Sequence, residues 1–134
     1  MKKRYLAVDP GREKCGLAIV NEEGQAQWLQ ILNVDEFETR LKCLLVEGSF
    51  NEILLGSGTG KDALLKIFHK LMTGKKIIIV DEKNTTLLGR ELYWQYNPPK
   101  NWKRLLPEKM RPISEPIDCY AALAIALRWL QENK

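Results

Sequence analysis

Histidine is almost absent from this sequence. His69 is the only one in 134 residues, and it stands among lysines in a stretch of helical spacing, far from any serine or cysteine in a nucleophile motif. Hydrolysis by a Ser-His-Asp or Cys-His arrangement therefore has little support. Cysteine is scarce too: Cys15, Cys43 and Cys119 are odd in number, widely spaced and without a C-x-x-C pair. Neither a disulfide framework nor a thiolate zinc site is indicated, and all three read as small buried hydrophobes. No apolar run approaches the ~18 residues needed to span a bilayer. The opening "MKKRYLAVD" has a positive start but lacks the apolar core and small-residue cleavage site of a signal peptide. The expectation is a cytoplasmic protein without a membrane role, one domain over residues 1–134, long enough to bury a core without disulfide or structural metal.

The charge is unevenly spread. The net charge is +4, and between Tyr93 and Pro112 the cations Lys100, Lys103, Arg104, Lys109 and Arg111 face Glu108 alone, so this segment holds the whole excess. Tyr93, Trp94, Tyr96 and Trp102 are interleaved with it. Cations alternating with aromatics suit a partner that offers phosphates and base faces together, which makes Trp102, Lys103, Arg104, Lys109 and Arg111 candidate nucleic-acid contacts. A solvated loop pinned to the core by its aromatics would have the same composition.

Five segments read as strands: "RYLAVD", "GLAIV", "QWLQIL", "EILLG" and the most apolar, "KKIIIVD". Short turns separate the first three, as in an antiparallel meander. From Asp35 the spacing becomes helical, with Phe37, Leu41, Leu44 and Leu45 on one stripe. A second helix follows "GSGTG", carrying Leu64, Ile67, Phe68 and Leu71; a third begins near Thr85 or Thr86; a last one runs from about Ile117 to Gln131. Strands alternating with helices require parallel crossovers. "GSGTGKD" is not a Walker A loop, because Gly56 and Gly60 have only three residues between them and Asp62 occupies the hydroxyl position. It is either a tight strand-to-helix connection or an anion-holding helix start, with Lys61 beside it.

Three acids sit where an acid facing the core is least expected. Asp9 ends the first strand, where a turn residue is the simpler reading. Asp81 and Glu82 follow the most apolar strand, and strand ends of open α/β sheets are where sites assemble. Asp118 shares a helical stripe with Ala121, Ala122, Ile125 and Trp129, which directs its carboxylate toward the sheet. If these groups converge, their repulsion needs a compensating cation, and all-oxygen ligation favours Mg²⁺ or Mn²⁺.

"AVDPGREKCGLAIV", "VDEKNTT" and "PIDCYAALAIAL" resemble the three acidic motifs of the RNase H-like superfamily, most closely the YqgF-type pre-16S rRNA nuclease or Holliday-junction-resolvase family. The resemblance covers nearly the whole chain. It implies an α/β ribonuclease H-like fold, a central mixed five-stranded sheet of three antiparallel strands plus parallel ones, flanked by helices. It also implies metal-dependent endonucleolysis of structured nucleic acid, either rRNA precursor or branched DNA, by Asp9, Glu82 and Asp118, with Asp9 shared between two ions and the others holding one each. Lys14 matches a basic position of the first motif, where it would meet a phosphate. Glu115 and Asp81 stay open as further ligands. Tyr120, Ala124 and Leu127 leave a second apolar face on the last helix, either a homodimer interface or more core. An actin- or sugar-kinase-like nucleotide-binding domain and a catalytically silent nucleic-acid-binding module are the alternatives. The first needs two such subdomains to close around a nucleotide.

Overall fold

The computed structural model describes residues 2–71, 74–83 and 85–133. Three strands come first, β1 (Arg4–Asp9), β2 (Lys14–Asn21) and β3 (Ala26–Asn33), then α1 (Val34–Glu47), β4 (Glu52–Gly56), α2 (Lys61–Lys70), β5 (Lys76–Val80), α3 (Thr85–Tyr96) and α4 (Asp118–Glu132). Two short 3-10 helices, Asn101–Leu105 and Glu108–Met110, punctuate the long connection from α3 to α4. The strands form one mixed sheet in the order β3-β2-β1-β4-β5. β1–β2 and β2–β3 are antiparallel, and β1–β4 and β4–β5 are parallel. This is the mixed five-stranded sheet that the resemblance implies, with the antiparallel meander and parallel crossovers read from the strand and helix pattern.

Alternation along each strand divides the core into two layers, because successive side chains leave opposite faces of a pleated strand. Leu6 and Val8 of β1, Leu17 and Ile19 of β2, and Ile53 and Leu55 of β4 pack against Phe37, Leu41 and Leu44 of α1 and Leu64 and Phe68 of α2. Tyr5 and Ala7, Ala18 and Val20, Leu54 and Val80 face the other way, toward Leu92 of α3 and the run Ala122–Ala126 of α4. That second layer is rich in alanine, so α4 lies close to the sheet. Local signals set the helix ends: the Asn33 N–H donates to the Glu36 carboxylate at 3.2 Å to start α1, and Gly48, at φ 66°, closes it in the left-handed region.

The closest approach falls at Gly16, on the α4 face of β2. A Cβ there would collide with the carbonyl group of Asp118 and the nitrogen of Cys119. Glycine inside a strand marks such an approach of another backbone, and here it fixes the height at which α4 begins.

Two details depart from the sequence pattern. β5, the most apolar segment, is an edge strand: only Val80 is buried and Ile79 is 46% exposed, because β5 has one strand neighbour instead of two. Cys15 and Cys119 are buried as expected, but Cys43 lies on the outer side of α1 and is exposed. On the second face of α4, which the sequence leaves as interface or core, Ala124 is fully buried and Tyr120 and Leu127 are partly buried against the alanine-rich layer. Among the described residues no helix is long and apolar enough to cross a membrane.

Gly16→Ala should therefore displace α4 and not merely crowd it, since the obstructing atoms are backbone. Overpacking of this kind costs ~1–3 kcal/mol. The expected outcome is a lower urea midpoint, measured by circular dichroism.

Candidate active site

The sheet register places the first acid. Asp9 pairs with Gly16 of β2. On its other side, one step beyond the Val8–Leu55 pair, stands Gly56 of β4. Asp9 shares its parity with Tyr5 and Ala7, hence the face of the sheet toward α4. It ends the central strand with a glycine on each flank, and both vacated positions are filled by the other two acids. Over Gly16 lies the backbone of Asp118, the first residue of α4. Over Gly56 lies the carboxylate of Glu82, whose Oε1 is 2.6 Å from where a Cβ would stand.

Glu82 is held at both ends. Its N–H donates to Ser57 Oγ at 3.2 Å, and its carbonyl accepts from the Thr85 N–H at 3.1 Å and from Thr85 Oγ1 at 2.7 Å. Thr85 is the one buried polar residue among those described. The loop between β4 and α2 wraps the carboxylate: a Cβ on Gly58 would stand 2.5 Å from Glu82 Oε2 and 3.1 Å from the Pro10 carbonyl oxygen, and one on Gly60 would meet the Gly11 backbone. "GSGTG" thus serves as a cradle for Glu82, its glycines required by a side chain from β5's end and by the β1–β2 turn.

Electrostatics reflect this crowding. Asp9 is pushed up to about 8, first by burial, then by the hydrogen bond its carboxyl shares with Glu82 and by the charges of Glu82 and Asp118. Keeping its proton spares Asp9 the repulsion of the neighbouring carboxylates. Cys15 is raised to about 12 by burial and by Asp118 and Asp9, which keeps its thiol protonated and inert. Among the described residues no group of three His, Cys, Asp or Glu is arranged to hold a metal ion.

The remaining candidates are dispersed. Asp81 is exposed and caps its own turn, Oδ1 accepting the Lys83 N–H at 3.0 Å, while its carbonyl accepts from Arg128 Nη1. Glu115 lines a separate groove beside Tyr93. Lys14 and Lys61 are first residues of β2 and α2, the former exposed and the latter half-buried. In the basic segment Trp102, Arg104 and Lys109 are exposed and Lys103 is half-buried. Arg111 turns inward: its Nε donates to the carbonyls of Lys103 and Leu106, and its guanidinium lies 5.5 Å from the Trp94 ring centre. Tyr93 and Trp94 are buried, leaving Tyr96 and Trp102 as the aromatics available to a partner. Sequence reasoning missed Gly16, Gly56, Gly58, Ser57 and Thr85. The only signal was glycine at strand positions and a glycine repeated at alternate residues, which marks close approach without saying of what.

Because Asp9 has a higher pKa folded than its ordinary value of 3.8, the folded state binds the extra proton between those limits. Stability without metal should then be greatest at low pH and decline as pH rises from about 4 to about 8. Each tenfold difference in proton affinity between the folded and unfolded chain corresponds to ~1.4 kcal/mol. Urea midpoints in chelator should fall across this window for the native sequence and stay flatter for Asp9→Asn.

Comparison with known proteins gives no matching family model and no matching curated protein sequence. Solved structures do match. RuvC of Thermus thermophilus in complex with a Holliday junction substrate superposes with a TM-score of 0.63 at 16% identity, covering 98% of this chain and 95% of that one. A second structure of Thermus thermophilus RuvC gives 0.56 at 11% identity, covering 92% and 90%. The Fowlpox virus resolvase, in complex with its substrate Holliday junction DNA, gives 0.58 at 14% identity, covering 97% and 98%. Over almost its entire length, this chain has the ribonuclease H-like fold of the RuvC and poxvirus resolvases.

Proposed function

We propose that the protein is a divalent-metal-dependent endonuclease that hydrolyses phosphodiester bonds in branched nucleic acid, with four-way DNA junctions as its substrate class. The observation that carries this is the placement of Asp9 between two glycines whose vacated space admits Glu82 and the start of α4 at Asp118. Three acids gathered at the end of the central strand repel unless a proton or a cation compensates them, and a divalent ion would compensate all three at once. The likeness to two resolvases in complex with Holliday junctions favours branched DNA.

The donors are carboxylate oxygens without histidine or a thiolate, which fits a hard ion such as Mg²⁺ or Mn²⁺. When bound, such an ion supplies positive charge and Lewis acidity for activating water and stabilising the leaving oxygen. The chain's own contribution is placement. Asp9, Glu82 and Asp118 would hold the ion, with Asp9 giving up the proton that its burial favours. Ser57 and Thr85 keep the Glu82 backbone still, and Asp118 projects from a helix whose start is set by contact with Gly16.

The test is cleavage of four-way junctions, duplexes, single strands and structured RNA with Mg²⁺, Mn²⁺ or chelator. Junction cleavage is expected with metal, none with chelator, and background rates for Asp9→Asn, Glu82→Gln and Asp118→Asn at native circular dichroism. Preferential cleavage of structured RNA would reassign the substrate to an RNA precursor. Binding to the folded state alone stabilises by ~2.7 kcal/mol at a hundredfold excess over Kd, so millimolar Mn²⁺ should raise the Tm. Gly58→Ala, which forces Glu82 off its cradle, should weaken that response. An unchanged Tm, or cleavage indifferent to all three acids, would overturn the reading.

A further inference from the structure

A groove of about 450 Å³ opens between the C-terminal turn of α3 and the first 3-10 helix, lined by Tyr96, Asn97, Pro98, Lys100, Trp102 and Glu115 among others. Its volume lies in the range of small-ligand sites, ~300–1,000 Å³. We propose that it is a pocket for one unpaired nucleotide, its base held against the Tyr96 and Trp102 rings and its phosphates met by Lys100 and Lys103. The inference rests on the nuclease reading only in taking nucleic acid as the partner. Nothing in the acid cluster requires it.

Four observations converge on this assignment. Trp102 is 59% and Tyr96 47% exposed, and with Leu105 and Met110 they make four of the seven large apolar side chains exposed among the described residues. Tyr96 and Trp102 both line the groove, and exposed apolar surface of this kind marks a binding region. The segment is also preorganised. Pro98 and Pro99 stiffen its entry, Asn101 turns it through the left-handed region at φ 58°, which Asn adopts more easily than most residues, and Arg111 ties Lys103 and Leu106 to the Trp94 face of α3. Rigid aromatic surface lowers the entropy lost on binding. Thirdly, both Asn97 amide hydrogens are committed, to the Tyr93 carbonyl at 3.0 Å and the Tyr120 hydroxyl at 2.9 Å. The side chain is thereby fixed with its carbonyl oxygen left to accept from a base edge, and Ser114 and Glu115 add further polar groups to the lining. Finally, Lys100 and Lys103 line the groove and Arg104 follows, giving the positive charge that phosphates require.

In a branched or looped substrate, nucleotides at the discontinuity are the ones free to leave the stack, since extrusion costs least where pairing is already lost. The groove would select such a point and anchor it, a recognition separate from metal chemistry.

The experiment compares a DNA duplex carrying one unpaired 2-aminopurine with the same duplex fully paired, using Asp9→Asn protein in every arm so that nothing is cleaved. Tighter binding of the bulged probe with quenched 2-aminopurine fluorescence is expected. Trp102→Ala should remove ~5- to 100-fold of affinity for that probe, the range of base–aromatic stacking, and abolish the quenching. Lys100→Gln should weaken the bulged probe more than the paired one without abolishing the quenching, because Lys100 meets the phosphates of the nucleotide that enters the groove while the rings hold its base. Equal affinity for the two probes, which a peptide groove would give, overturns the proposal. So does a preference that survives both Trp102→Ala and Tyr96→Ala. Acid-dependent junction cleavage without base preference would sink the groove and leave the nuclease standing. Base preference in a protein whose native sequence cleaves nothing would do the reverse.

Discussion

Asp9 can stand at the end of the central strand in the company of two other acids only because its neighbours on both sides are glycine. Gly16 yields its side-chain volume to the backbone of Asp118, and Gly56 yields its own to the carboxylate of Glu82. The arrangement depends on missing atoms more than on attractive contacts. Methyl groups at these two positions would leave the hydrophobic layers intact in composition while forcing the helix and the acid outward. Helix α4 carries a run of alanines for the same reason: a helix that must begin against a strand's backbone cannot carry large side chains on its inner face near that end.

The acids do not rest comfortably. Burial, a hydrogen bond to Glu82 and like charge push Asp9 toward its protonated form. Such a cluster is costly to fold around, and the cost is met elsewhere by two fully formed hydrophobic layers, one under α1 and α2 and one under α3 and α4. Pinning the Glu82 backbone through Ser57 and Thr85 prevents the cheapest escape, which would be to swing one carboxylate into solvent. Strain of this sort is retained at sites that act on charged ligands.

Much of this is legible in the sequence because it is periodic. Short aliphatic runs in "RYLAVD" and "EILLG" and the helical stripes of α1, α2 and α4 give the element order, and the three acids fall at element ends where their exceptional character is visible. What periodicity cannot supply is lateral order in the sheet. "KIIIV" looks central by hydrophobicity, yet it lies at the edge, because strand position depends on crossovers and not on the strand's own residues. Aromatics show the same limit. Tyr93 and Trp94 are neighbours of Tyr96 in sequence, but a helix turns them into the core and leaves Tyr96 outside. The purpose of "GSGTG" was hidden for a related reason: the carboxylate it accommodates comes from a different strand.

Arg111 gives the basic segment a property that its composition conceals. Its Nε is used by two carbonyls of the same connection, its charge rests over an indole, and Arg90 Nη2 grasps its carbonyl in turn at 2.9 Å. These contacts are part-buried, whereas Lys100, Arg104 and Lys109 extend into solvent. Mobile ions screen exposed charges far more than covered ones. Rising ionic strength would therefore detach a polyanion from the outer lysines while the platform beneath keeps its shape, so that the surface which lets go is already formed for the next encounter.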